Sequence, residues 1–294
     1  MQLSEIEKRN YLIGFLLIIF MVASATFLND LEIILPEIGA LTAGTWIYQN
    51  GGWINQPSKI FFAPSGTAII GFLINQLAIS YAQKVLLGLI LMLLLLKVLK
   101  SNLAPSFATG LLPIIINATH WSFIVAILLF TLILTCGVFL QGNYKQADPS
   151  AAIKKHHMAL FSVMAIIWVG GVWFFGFSQM AAIPPVMVVF FEVLQKPSYS
   201  WQMGSKHFVA LVGAASIGFL VHSVIASWLL ATVIALPLVF LLLQLLKIKL
   251  PAAFAFPLLA LVLPAKMFAM LPITAALAAL FFLGSVVAIK NISN

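Results

Sequence analysis

The chain has 294 residues, of which 63% are hydrophobic and only 7% charged, with a formal net charge of +8. Ordinary soluble domains carry roughly 45–50% apolar and about 25% charged residues, so a water-soluble globule around one core is excluded. The single cysteine, Cys136, lies within an apolar run and excludes an intrachain disulfide.

This composition predicts an all-α polytopic membrane protein, because helices in series satisfy their own backbone hydrogen bonds in lipid. Apolar segments fall near 11–28, 31–48, 60–80, 84–99, 103–117 and 122–140, then near 158–175, 180–195, 207–226, 228–246, 250–264 and 267–289. A spanning helix needs about 20 residues, so the fifth segment of each series is expected to be short and either re-entrant or broken. Lys8 and Arg9 followed by an apolar run ending in Ala23, Ser24 and Ala25 have the order of a signal peptide. The same order recurs internally, where Lys154 and Lys155 precede a similar run from Met158, so the first helix is expected to be retained.

An internal repeat runs through the series. SKIFFAPSGTAIIGFL, Ser58 to Leu73, returns 147 residues later as SKHFVALVGAASIGFL, Ser205 to Leu220, with ten of sixteen positions identical. LAPSFATGLLP, from Leu103, returns in the same register as LPAAFAFPLLA, from Leu250. Two tandem repeats, 1–147 and 148–294, are therefore expected, each with about six segments. Basic residues stay on the cytoplasmic side during insertion. Twelve crossings from a cytoplasmic N-terminus put thirteen of the fifteen basic residues inside and leave only Lys84 and Lys266 outside, whereas re-entrant fifth segments would leave six inside and nine outside. The expectation is a multi-pass cell-membrane protein with both termini cytoplasmic and the two halves parallel about a pseudo-twofold axis, one of the repeat designs of transporters.

The candidate residues follow from the two repeated signals. On a helix, residues four apart share a face, which gives the ladders Ala63, Thr67, Gly71, Asn75 and Ala210, Ala214, Gly218, His222. Small residues at this spacing let helices approach closely in lipid, and a polar group at such depth faces the bundle or a wet cavity. Gly66 and Gly213 add a second narrow point. Pro105 and Pro251 open the short fifth segments, and Thr109 follows Pro105 by one turn. Freed backbone groups there must be buried or line a cavity, which is a pointer to a transport site. Among the intramembrane acids, Glu32 and Glu192 sit near segment ends and suit capping, while Glu37 beside Pro36 is the candidate coupling group. His156 and His157 read as part of a solvated basic linker, and His120 beside Trp121 as an interfacial pair.

In IPPVMVVFFEVL (Ile183 to Leu194), GAASIGFL (Gly213 to Leu220) and PSFATGLLP (Pro105 to Pro113) the chain resembles the HPP family of small integral membrane proteins. Each half resembles one such protein, and some members are associated with nitrite movement. The His-Pro-Pro motif is replaced by Ala104-Pro105 and by Leu250-Pro251, without a histidine in either copy, so the resemblance carries no nitrite assignment.

The sequence contains no Walker loop, dinucleotide fingerprint, HExxH or GxSxG. The expected function is a transporter or channel for a small solute, a small anion among the candidates, rather than an enzyme. The expected path runs between the repeats, lined by Pro36, Glu37, Gly66, Thr67, Gly71, Asn75, Pro105, Thr109, Gly213, Gly218, His222 and Pro251. The alternative is a non-transporting membrane subunit that serves in assembly or sensing. Expected partners are the lipid bilayer, a small molecule or ion, and a second copy or membrane subunit; no nucleic acid, metal or cofactor is expected.

Overall fold

A computed structural model describes residues 3–146 and 154–292, and among these every regular element is helical. The first stretch carries α1 (Glu5–Leu28), α2 (Pro36–Leu41), α3 (Gly51–Ile54), α4 (Pro57–Asn75), α5 (Tyr81–Val98), α6 (Pro105–Ile115) and α7 (Trp121–Gln141). The second carries α8 (Lys155–Phe174), α9 (Pro184–Gln195), α10 (Trp201–Val224), α11 (Trp228–Leu246), α12 (Ala255–Val262) and α13 (Ala265–Ile292). Among the described residues eight helices, α1, α4, α5, α7, α8, α10, α11 and α13, are long and apolar enough to cross a membrane. The boundary expected at 147–148 lies outside the described residues. His156 and His157 are in the first turn of α8 rather than in a linker.

The ends of these helices are written in local chemistry. Ser4 and Glu7 close a capping box at α1, as do Ser80 and Gln83 at α5, and α1 stops at Asn29 in the left-handed conformation. Four shorter pieces start at proline: α2 at Pro36, α6 at Pro105, α9 at Pro184, and a 3₁₀ turn leading into α12 at Pro251. Proline suits the first helical position, where its missing N–H is not needed, and it keeps the preceding residue extended. Leu35 is extended accordingly, Ile183 and Leu250 lie outside the helical region, and Ala104 before Pro105 is helical.

The second segment of each series is thus short as well as the fifth. The apolar run from residue 31 concealed this, because the Asp30 cap, a 3₁₀ turn and Pro36 delay the helix by several residues. α2 then continues as a π-helical stretch, Thr42–Ile47.

These short pieces form the centre. Every residue of α2, α6 and the 251–262 segment is buried, as is most of α9, whereas the apolar windows of the eight long helices are only 22–56% buried. Helices interrupted at membrane depth have unpaired backbone groups, and protein rather than lipid must surround them. α2 packs on the Pro251–Phe254 turn and α12, while α6 packs on α9, where the Phe107 and Phe191 rings lie 4.7 Å apart. Outside them α1 packs on α11 and α5 on α8.

Hydrogen bonds sort the segment ends onto two faces. On one, Tyr11 meets Tyr48, Gln49 meets Gln141, Lys59 donates to the Lys100 carbonyl, and Lys290 donates to the Lys196 carbonyl. On the other, Glu32 caps α7 by accepting from the Thr119 and His120 N–H groups at 2.9 Å, and Asn75 donates to Asn117 and to the Ala118 carbonyl.

Candidate functional site

The repeated segments supply tight contacts. Gly71 of α4 lies against the Gly110 carbonyl of α6, so a Cβ there would collide with backbone and reach within 3.0 Å of Pro113. One turn earlier the Thr67 and Thr109 hydroxyls are 2.6 Å apart; Thr67 also donates to the Ala63 and Pro64 carbonyls, and Thr109 to that of Ser106. One turn later Asn75 joins α6 through Asn117 and Ala118 and accepts from the Lys84 ammonium.

The later copy packs in the same manner. A Cβ on Gly218 of α10 would lie 2.9 Å from the Pro257 Cα and 3.0 Å from the Phe256 carbonyl. Gly66 meets the end of Leu95, and Gly213 meets the end of Leu242. His222 instead turns to α13, with its ring centroid 5.4 Å from that of Phe268 and a buried Nδ1 that has no hydrogen-bond partner among the described residues. α4, α6 and their counterparts therefore meet as close-packed surfaces, joined between α4 and the α6 segment by hydroxyl and amide contacts.

Pro36 and Glu37 start α2 and are both fully enclosed. Neither Glu37 carboxyl oxygen has a hydrogen-bond partner among the described residues. An unpaired buried carboxyl is costly at this depth and is a functional candidate for that reason. It lies on the helix that packs against the Pro251–Phe254 turn, where Gly39 approaches the Phe254 carbonyl closely enough that a Cβ would be 2.9 Å from it.

The ends of the short pieces leave a different kind of space. A polar vestibule of about 210 Å³ is lined by Asn50, Gly52, Trp53, Asn102, Glu192, Gln195, Lys196, His207, Lys249, Leu250 and Pro251. The continuation of α2 contributes Asn50 to Trp53, the approach to α6 contributes Asn102, the end of α9 contributes Glu192 to Lys196, and the approach to α12 contributes Lys249 to Pro251. Two of the short pieces, α9 and the Pro251 turn, therefore line it directly, and the stretches that follow α2 and precede α6 complete it. His207, from α10, is buried and held through Nδ1 by the Tyr199 hydroxyl at 3.0 Å, which leaves Nε2 for a ligand. Glu192 faces Trp53 and Lys196. Lys249 is answered by Glu7 at 3.5 Å and lies 5.8 Å from the Tyr48 ring centre. A larger groove of about 580 Å³ between α8 and α13 is lined almost wholly by apolar side chains on the outer surface. A smaller cavity of about 100 Å³ beside it is lined by Glu7, Tyr11, Tyr48, Gln244, Lys247 and Lys249; the vestibule is the larger of these two polar spaces and has convergent groups that can orient a small polar solute.

Of the twelve residues expected along a path, only Pro251 lines this space. The expected residues come from the segments that repeat, whereas most polar side chains of the vestibule differ between the two halves. In the 147-residue register Glu192 stands where Thr45 stands earlier, Lys196 where Gln49 does, Tyr199 where Gly52 does, His207 where Ile60 does and Lys249 where Asn102 does. Divergence between the copies at these polar positions was the available signal. Comparison with known protein families, curated proteins and solved structures finds no match to this chain.

Proposed function

We propose that this protein is a non-enzymatic membrane transporter or channel for a small solute, with its path between two parallel halves of six crossings each and the vestibule as one mouth of that path. The observation that carries the reading is one polar space lined directly by α9 and the Pro251 turn and completed by the stretches that follow α2 and precede α6, so that the surroundings of four short, proline-initiated, buried pieces, two from each half, meet there. Paired interrupted segments at corresponding places in two halves are the best pointer to a transport site.

The pseudo-twofold arrangement is supported by contacts that recur at one sequence offset. Gly66 meets Leu95 and Gly213 meets Leu242; Gly71 meets residue 110 and Gly218 meets residue 257. The contacts between halves are reciprocal too, since α2 packs on α12 as α6 does on α9, and α1 on α11 as α5 does on α8. In this reading the face bearing Lys59, Lys100, Lys196 and Lys290 is cytoplasmic, together with both termini and the linker between the halves, in keeping with basic-residue retention. The likeness to HPP proteins belongs to the same proposal, each half standing for one such unit.

Flux into proteoliposomes tests the function, and single-cysteine labelling at Lys59, Lys145 and Lys84 tests the orientation. The expected result is solute flux, with positions 59 and 145 labelled from one side and 84 from the other. Absence of flux for all small solutes, together with a co-purifying membrane protein, would favour the non-transporting subunit.

A further inference from the structure

The vestibule has a charge pattern that points to the kind of solute it accepts. Glu192 and Lys196 are four residues apart, a spacing that pairs opposite charges on a helix. Here α9 ends at Gln195, and Lys196 has extended backbone, φ −70° and ψ 142°, so its side chain leaves the helical row. Among the described residues neither Glu192 nor Lys196 forms an ion pair, although both line the same space.

Of the neighbouring lysines, Lys249 pairs with Glu7, and Lys290 lies outside the space and donates to the Leu194 and Lys196 carbonyls. Among the described charged groups that line the space, Glu192, which bonds Trp53 and is acted on by the Lys196 charge, and Lys196 are the two outside any ion pair. A water molecule needs about 10–15 Å³ of cavity space, so the vestibule, with about 210 Å³, has room for a small organic molecule. The remaining lining groups, Asn50, Asn102, Gln195 and the free nitrogen of His207, are neutral hydrogen-bonding groups.

We propose that the vestibule binds a small zwitterion of the α-amino-acid type, its ammonium on Glu192 and its carboxylate on Lys196, with the amides and His207 around it. A simple anion would engage Lys196 and give Glu192 no cation in exchange, and a simple cation would do the reverse, whereas a ligand with both charges engages both groups. The specificity would then come from an unpaired charge imposed on every wrong ligand. This inference rests on the vestibule being the mouth of a transport path, but binding can be measured apart from flux.

The test is titration calorimetry on the purified full chain with three matched sets: L-alanine, propionate and ethylamine; L-leucine, 4-methylpentanoate and 3-methylbutylamine; L-phenylalanine, 3-phenylpropionate and 2-phenylethylamine. At least one amino acid should bind tenfold or more tightly than both of its singly charged analogues. Glu192→Gln and Lys196→Gln, in a half-buried and an exposed residue, should each weaken it about tenfold while leaving the unliganded melting temperature unchanged. Equal binding of the carboxylate analogues, or no binding by any of the amino acids, overturns the proposal. Amino-acid binding without proteoliposome flux supports the site and removes the transport reading. Flux of another solute class without amino-acid binding overturns the site and keeps transport.

Discussion

Between α4 and α6, Gly71 lies on the Gly110 carbonyl and Thr67 touches Thr109, which leaves no room for a solute. At the ends of the short pieces Glu192, Lys196, His207 and three side-chain amides surround about 210 Å³ of open space. The first region recurs in the second half as Gly218 on Pro257, in the same register; the second region draws on both halves at once, and its Glu192, Lys196 and His207 stand in register with Thr45, Gln49 and Ile60. Close approach in lipid is available only to small residues, so packing positions of duplicated segments remain alike. If the vestibule binds a solute as proposed, it needs particular charges at particular points, and these need be supplied by one half only.

The sharpest way to break this comparison is Gly71→Leu. The added carbons would meet backbone, which cannot rotate away, so a loss at or above the upper end of the ~1–3 kcal/mol typical of overpacking is expected in thermal unfolding. Gly218→Leu should follow with a smaller loss, since its nearest neighbours are 2.9 and 3.0 Å from the new Cβ. A melting temperature unchanged in either variant would remove the contact as a structural element.

Glu37→Met should act in the opposite direction. Removing a carboxyl that has no partner is expected to stabilise the protein by about 1–3 kcal/mol, and the same variant should lose any flux that depends on that group. Destabilisation on thermal unfolding would show instead that the carboxyl is bonded in the membrane.

Thr109→Val removes a hydroxyl that donates to Ser106 and touches Thr67, at a cost of about 1 kcal/mol. Flux per folded protein should be unchanged, because the contact is closed; a flux defect in a fully folded Thr109→Val protein would move the path into the α4–α6 contact. Gly66→Ala and Gly213→Ala meet only the movable ends of Leu95 and Leu242, 2.8 and 2.7 Å from the new Cβ, so both should cost under about 1 kcal/mol and by similar amounts. Unequal effects would argue against equivalent environments in the two halves. Leu73→Ile, on an exposed position of α4, should stay within about 0.5 kcal/mol of the parent.

Much of the architecture is legible before folding is considered. Apolar runs separated by short polar punctuation require self-satisfied helices in lipid, and capping boxes such as Ser4-Glu7 and Ser80-Gln83 mark where two of them begin. The close packing of Gly71 and Gly218 was readable from four-residue spacing, a local property of a helix. Pro105 and Pro251 likewise revealed interrupted segments, because proline acts on its own turn and on the residue before it. Pro36 and Pro184 carried the same information, but they sit inside runs apolar enough to pass for full-length helices.

What tertiary structure alone decided is where the unpaired groups end up. No local rule brings Asn50, Asn102, Glu192, His207 and Lys249 together, since they come from five separate stretches and meet only because four short pieces end at one face. Nor does spacing indicate that Glu192 and Lys196 fail to pair: four residues apart they would face each other on a continuing helix, and it is the end of α9 at Gln195 that separates them. Composition and periodicity determine which residues must be buried and how each helix begins and ends. The charges left unanswered depend on which segment ends meet, a property of the assembled bundle.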